Sequence, residues 1–234
     1  MFDLDGTLLK AGGIGRRSTK DALEEVFGTS GNLDEFYPGG RTQEAIFADT
    51  TNDAGIGSGQ YQEKKDQLYQ VFLENFRKIG ESGEYEISEL PGASKLIEYL
   101  LKSDEYALGL VTGNHEQIAV LKMQYAGLNP SDFLAGGFGQ ESADRSDLVP
   151  LAKRRVEKIL KTEFPGYYTI VIGDTTRDVL SAKSVGATSF AITTGTDDYD
   201  LLMSVNPDSI FADLYEVLER FELLEGRMGG IDGI

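Results

Sequence analysis

From about residue 90 onward, apolar runs of strand length alternate with stretches of helical spacing, and that alternation leaves few ways for the chain to fold. Residues 106–111 form a short apolar run ending in Thr-Gly-Asn, and residues 116–126 after it have helical periodicity closed by Gly127. The order recurs with a strand at 133–138 before a helix at 147–160, and with a strand at 168–172 before a helix at 178–185 closed by Gly186. Residues 188–192 and 209–211 read as two more strands, the last followed by a helix over 214–224. Repeated strand-helix units predict an α/β fold with a mostly parallel, helix-covered sheet.

Residues 16–80 break that rhythm. Residues 16–27, 42–54 and 60–79 all read as helices, the third with an apolar stripe of Tyr61, Leu68, Val71, Phe72, Phe76 and Ile79, and no strand signal falls between them. Bounded by Gly12-Gly13 on one side and residues 88–92 on the other, this block reads as a separate cap. The expected division is a core of residues 1–13 and 88–234 around a helical cap of 14–87. The glycine-rich tail from Gly226 shows no periodicity and is expected to be mobile.

Chemistry gathers at the strand ends. Asp3 and Asp5 stand two apart in Phe2-Asp3-Leu4-Asp5-Gly6-Thr7, after an apolar start. A strand presents residues two apart on one face, so both carboxylates aim at one point, and their repulsion must be offset by a cation or a proton. Gly6 permits a backbone turn that other residues resist, and the Thr7 hydroxyl can bond back to the loop. Val111-Thr112-Gly113-Asn114 offers a hydroxyl and loop N–H groups for a phosphate oxygen. Gly173-Asp174-Thr175-Thr176-Arg177-Asp178 sets two carboxylates four apart across a strand-to-helix turn, a spacing suited to a cation with oxygen ligands. A cation expected within 145–153 completes the set.

Composition narrows the partners. The 234-residue chain carries a formal charge of −17, which argues against nucleic acid and anionic membranes, so an anionic substrate must be drawn by a local site. There is no cysteine for disulfides or thiolate metal sites. No window approaches 18 consecutive apolar residues, and the expectation is a cytoplasmic protein, monomer or homodimer, without nucleic-acid or membrane partners.

Together these motifs resemble the haloacid dehalogenase-like hydrolases, over the stretch from Phe2 to about Gly195. The first motif, Asp-x-Asp-x-Thr, is met by Asp3, Asp5 and Thr7; the second, a Thr or Ser after an apolar strand, by Thr112; the fourth, Gly-Asp-x-x-x-Asp, by Gly173, Asp174 and Asp178. The inserted helices fall where members with a cap of the first type carry theirs, and the phosphoglycolate-phosphatase-like branch is the one most resembled. The resemblance implies a Rossmann-like core. It also implies a Mg²⁺-dependent phosphatase acting on a small phosphorylated metabolite, such as phosphoglycolate or a sugar phosphate. Asp3 would be the nucleophile that forms an aspartyl-phosphate, and Asp5 the general acid and base. Asp3, the Asp5 backbone carbonyl, Asp174 and Asp178 would hold the metal. Thr112, Gly113 and Asn114, together with Gly6 and Thr7, would face the phosphate.

Two departures stand out. The third motif normally supplies Lys, often as Lys-Pro, and here Arg145 in Asp144-Arg145-Ser146-Asp147 takes that position, with Lys153 the second choice. Only Met1 and Phe2 precede the first Asp, where relatives have several apolar residues. Arg41 stands between contacting the substrate from the cap and a helix-start surface position, and His115 reads as a helix N-terminal surface residue. The same motifs serve a phosphomutase of the β-phosphoglucomutase type, and a non-enzymatic phospho-acceptor domain is the remaining alternative. Dehalogenase activity is disfavoured because Asp5 is present, and phosphonate hydrolysis because Lys64, Lys65 and Lys78 sit on a solvated-looking helix.

Overall fold

The computed structural model describes residues 1–35 and 39–228. Just past Asp3 the backbone folds on itself: the N–H groups of Thr7, Leu8 and Leu9 lie 3.2, 2.9 and 3.0 Å from the Leu4 carbonyl oxygen. Gly6 turns the chain there at a φ of +82°, and a Cβ would stand 2.5 Å from the Asp174 carboxylate, so only glycine fits. The chain leaves on β1 (Leu9–Lys10), which pairs antiparallel with β2 (Ser88–Glu89). The described elements between these strands are helical: α1 (Ile14–Phe27), α2 (Gln43–Asp53) and α3 (Ser58–Ser82), with a 3₁₀ turn at Leu33–Glu35. Periodicity places the three helices to within a few residues. It misses the β1–β2 ladder, because two residues are too few for alternation to register.

The apolar side of the helical block is continuous with the core beneath the sheet. Phe47 of α2, fully buried, takes Tyr69 and Phe72 of α3 edge to face, with ring centroids 5.1 and 5.5 Å apart. Ala22, Leu23 and Val26 of α1 belong to the same cluster, and Ser18 and Thr19 return their hydroxyls to the Ile14 and Gly15 carbonyls.

After β2 the chain alternates α4 (Ala93–Leu101), β3 (Gly109–Thr112), α5 (Glu116–Tyr125), β4 (Ala135–Phe138), α6 (Leu148–Leu160), β5 (Ile170–Gly173), α7 (Thr176–Ser184), β6 (Thr188–Ile192), α8 (Tyr199–Ser204), β7 (Ser209–Phe211) and α9 (Leu214–Met228). Ladders β3–β4 and β5–β6–β7 are parallel. Phe2 joins them, bridging Leu110 on one side and Ile172 on the other, both in parallel sense. Its N–H donates to Gly109 and its carbonyl accepts from Val111, both at 2.8 Å, while the Asp3 N–H donates to Ile172 at 3.0 Å. The sheet therefore runs β4–β3–(1–3)–β5–β6–β7, a Rossmann-like arrangement whose innermost strand is reduced to three residues. Strand alternation divides the side chains between two layers: Leu110 and Ile172 pack in the cluster that holds α4 and α9, whereas Val111 and Val171 meet Leu148, Val149 and Ala152 of α6. The tail expected to lose structure from Gly226 is instead helical to Met228, as α9 continues; residues 229–234 lie outside the described residues.

The helical block rests directly on the core through the start of α2. The first-turn N–H groups of a helix need partners from outside it. Gln43 N–H donates to the Gly113 carbonyl at 2.8 Å, Glu44 N–H to the Gly139 carbonyl at 3.0 Å, and Ala45 N–H to the N-capping Thr42 hydroxyl at 3.1 Å. The approach is close enough that a Cβ on Gly113 would overlap the Arg41 carbonyl. Proline is tolerated in the first turn of a helix and Thr42 is already extended, so Gln43→Pro should delete one latch bond and leave α2 intact. Amide exchange across 42–46 is expected to quicken by roughly 3- to 10-fold, the scale of one net hydrogen bond, against a Gln43→Ala control that keeps the N–H. Equal exchange in the two variants would show that this bond does not hold the block down.

Candidate active site

Three carboxylates converge at the C-terminal edge of the sheet. Asp3 follows the bridging residue Phe2, Asp174 follows β5, and Asp178 lies in the first turn of α7; each offers an oxygen within 4.8 Å of the others, and all three are buried. Burial, offset only partly by Arg145 and reinforced by Asp178 and Asp5, pushes the Asp3 carboxyl up to about 6. Burial also raises Asp174 well above the usual carboxylate range, with the charges on Asp3 and Asp178 adding to it. Asp174 is braced on both oxygens, by the Thr7 hydroxyl at 3.1 Å and the Thr196 N–H at 3.0 Å. Thr7 thus serves the carboxylate cluster, and neither it nor Gly6 lines the adjoining cavity.

Arg145, from the 3₁₀ turn at Arg145–Asp147, is 5% exposed and reaches into this cluster. Its Nη2 lies 3.1 Å from Asp3 Oδ1, and Nε and Nη2 lie 3.0 and 2.5 Å from Asp178 Oδ1. Burial opposes the guanidinium charge, but Asp178 and Asp3 outweigh it and hold Arg145 above its ordinary range. The other oxygen of Asp178 accepts from the Thr175 N–H and hydroxyl in a capping box, so Asp178 is a holder of Arg145 with both oxygens engaged. Arg145, not Lys153, is the cation brought to the aspartates: Lys153 pairs with Glu157 on α6 and lies over the Phe164 ring at 4.6 Å.

A second network lies beside the first. Thr112 Oγ1 accepts from the Asn114 N–H at 3.2 Å and the Asn114 side-chain amide at 2.8 Å, which leaves its own hydrogen to donate elsewhere. The same amide nitrogen donates to Asp5 Oδ2 at 2.7 Å. Asp5 also receives the ammonium of Lys122, 2.8 and 2.6 Å from its two oxygens. Its carboxylate thus stands outside the three-carboxylate cluster, held by its own partners, yet near enough for its charge to add to the rise in Asp3.

Both networks line a cavity of about 300 Å³ between core and helical block, walled by Asp3, Asp5, Thr112, Arg145 and Asp174 below and by Arg16 and Arg41 above. Arg41 also pairs with Asp49. Although the chain is strongly acidic, Arg16, Arg41, Lys122 and Arg145 all border this one space, alongside Asp3, Asp5 and Asp174. His115 caps α5 through Nδ1, which accepts from the Gln117 N–H at 3.2 Å, and burial lowers its basicity. Lys64 donates to the Val26 carbonyl and Lys65 pairs with Glu44, so neither enters the cavity.

Sequence reading missed Lys122 and the loop after β6. Lys122 lies inside a periodic helix and carries no motif signal. The loop had one: Gly195 stands so close to Asp174 that any Cβ would overlap the carboxylate, and Asp197 caps α7 by accepting from the Thr176 N–H at 2.7 Å.

The model of the family described as "Haloacid dehalogenase-like hydrolase" matches residues 1–192. The chain belongs to the haloacid dehalogenase-like hydrolases. Among curated relatives, a phosphoglycolate phosphatase of Neisseria meningitidis is 28% identical over 126 residues, 53% of this chain and 52% of its own length. That match thus spans about half of the relative. Among solved structures, a hydrolase from Pseudomonas syringae superposes with a TM-score of 0.70 at 20% identity, covering 94% of this chain and 96% of that one. CbbY from Rhodobacter sphaeroides, solved in complex with phosphate, superposes with a TM-score of 0.62 at 17% identity, covering 92% and 94%.

The donor set of this hydrolase fits a hard divalent cation. Asp3, Asp174 and Asp178 bring three carboxylates against the single guanidinium of Arg145, an excess of two negative charges in a buried space, and all the donors are oxygen. Mg²⁺ should therefore raise the melting temperature, since binding to the native state alone adds RT ln(1 + [L]/Kd) to stability. Asp174→Asn removes part of the excess charge, and its melting temperature should be insensitive to Mg²⁺. An equal Mg²⁺ effect in both proteins would place the ion elsewhere.

Proposed function

We propose that this hydrolase is a Mg²⁺-dependent phosphatase that cleaves a small phosphorylated metabolite through an aspartyl-phosphate on Asp3. The observation that carries the reading is the convergence of Asp3, Asp174 and Asp178 with Arg145 at the floor of a covered cavity of about 300 Å³. That volume suits a small ligand, and similarity to a phosphoglycolate phosphatase supports a phosphoester substrate. Asp3 and Asp174, with the Asp5 backbone carbonyl, would hold the cation, and Asp178 would reach it while keeping Arg145 in place. When bound, the cation neutralises charge on the phosphoryl oxygens and so lowers repulsion towards an anionic nucleophile.

The chain's own groups then divide the work. An Asp3 oxygen attacks phosphorus, splitting one hard displacement into two easier ones. Asp5, on the cavity side of the same turn, gives a proton to the departing oxygen and later takes one from the attacking water. The Thr112 hydroxyl hydrogen, the Gly113 N–H and the Arg145 guanidinium would hold the phosphoryl oxygens. The helical block, residues 14–87, acts as a cap that opens about Gly12-Gly13 and 88–92 to admit substrate and closes to exclude water.

Asp3→Asn keeps the shape and removes the nucleophile; turnover of every ester in a panel of phosphorylated metabolites with Mg²⁺ should fall to background while the circular dichroism spectrum is unchanged. Retained turnover, or wild-type turnover that survives a chelator, contradicts the reading.

Arg145→Ala should lower kcat by roughly 10²- to 10³-fold, the scale of one electrostatic contact to a developing charge, with partial recovery in Arg145→Lys. Lys153→Ala should leave steady-state kinetics unchanged. The reverse outcome would transfer the third-motif role to Lys153.

A further inference from the structure

Lys122 is absorbed by none of the motifs above. It lies on the third turn of α5, 4% exposed, and its side chain runs back towards the helix N-terminus, the direction in which helical Cα–Cβ bonds lean. An ammonium has three hydrogens to donate. Three acceptors meet this one: Asp5 Oδ1 at 2.8 Å, Asp5 Oδ2 at 2.6 Å and Asn114 Oδ1 at 2.7 Å. With its donors used on the protein, Lys122 keeps none for a substrate, even though it borders the cavity. Its effect has to pass through the two side chains it holds.

Those two side chains are joined in turn. Asn114 donates from one nitrogen to Asp5 Oδ2 and to Thr112 Oγ1, closing a ring of contacts Lys122–Asp5–Asn114 whose outer member is the Thr112 hydroxyl. The Asp5 side chain is 40% exposed, lines the cavity and is pinned on both oxygens, whereas Lys122 is buried. A short carboxylate on a loop is free to rotate about two torsions; three contacts to fixed partners leave it one orientation.

We propose that Lys122 is the positioning residue for Asp5, fixing the carboxylate where the leaving oxygen departs and tying it to the Asn114–Thr112 loop. This rests on the phosphatase reading, in which Asp5 passes its proton to the leaving oxygen and so becomes a carboxylate. Lys122 acts only through the side chains it holds. Its contribution is confined to leaving groups that need the proton Asp5 carries.

The leaving group supplies the test. An alkyl phosphate must be protonated as it leaves, whereas p-nitrophenyl phosphate releases a stable phenolate unaided. Lys122→Met should lower kcat for glycerol phosphate by roughly 10²-fold, the scale of misplacing a reacting group, with KM within about 2-fold. The pre-steady-state burst of p-nitrophenolate should slow by no more than about 3-fold. In an Asp5→Asn background, Lys122→Met should add no further loss, the mark of two residues acting as a unit. Where Lys122→Met does not fold, Lys122→Gln, which keeps a donor, must show the same discrimination. Equal losses on the two esters, a rise in KM at constant kcat, or additive losses with Asp5→Asn each overturn the proposal while leaving the phosphatase reading intact. Absence of wild-type turnover on any ester overturns that reading first, and the positioning role with it.

Discussion

Repulsion among buried carboxylates organises this molecule. Asp3, Asp174 and Asp178 arrive from three separate points of the chain, and no apolar core would gather them without compensation. Arg145 supplies the part of it that is covalently attached, bonding Asp178 with two nitrogens and Asp3 with one. The surrounding loops supply the rest through hydrogen bonds: Thr7 and Thr196 hold Asp174, and Thr175 holds Asp178. This explains why glycines crowd the site. At Gly6, Gly173 and Gly195 a Cβ would meet the Asp174 or Asp178 carboxylate, so these backbones can approach only without side chains. Folding, in this region, is the construction of a place where three carboxyl groups can stand together against one guanidinium.

The same sheet edge separates two electrostatic tasks. Burial raises Asp3 and Asp174 above the usual carboxylate range, and together with Asp178 they are suited to sharing a cation. Asp5, two residues along, lies outside that cluster and has Lys122 as its partner. Two aspartates of one short motif thus border the same cavity with different partners, Asp3 buried beside Arg145 and Asp5 more exposed and paired with Lys122.

Much of this was legible in the sequence, and the exceptions are physical. Apart from α8, which the sequence reading does not find, helices and strands from residue 109 onward announce themselves because each buries one stripe or one face, and Asp3, Thr112, Asp174 and Asp178 come to one sheet edge because they end parallel strands or open the helix that follows. Arg145 was found from its place before α6, although it departs from the usual Lys. What stayed hidden was long-range and unpatterned. Lys122 reaches Asp5 across 117 positions of sequence, and an amphiphilic lysine in a helix looks the same whether its head meets solvent or a carboxylate. The β1–β2 ladder and the Glu44 N–H bond to Gly139 arise from tertiary docking, which leaves no periodic trace.

The latch at the start of α2 carries a consequence for how ligand and lid communicate. Gln43 donates to the carbonyl of Gly113, the residue between Thr112 and Asn114. One three-residue loop is therefore shared: its hydroxyl side belongs to the cavity and its carbonyl side to the lid. A ligand that orders this loop presents a better-placed acceptor to the lid, and a docked lid presents a better-ordered loop to the ligand. Linkage requires the two effects to be equal in free energy, whatever their size. Under the proposed opening of the helical block, a mutation that loosens it is then also a mutation in affinity, with no contact to the ligand, and tight product binding and slow opening become one property measured in two ways.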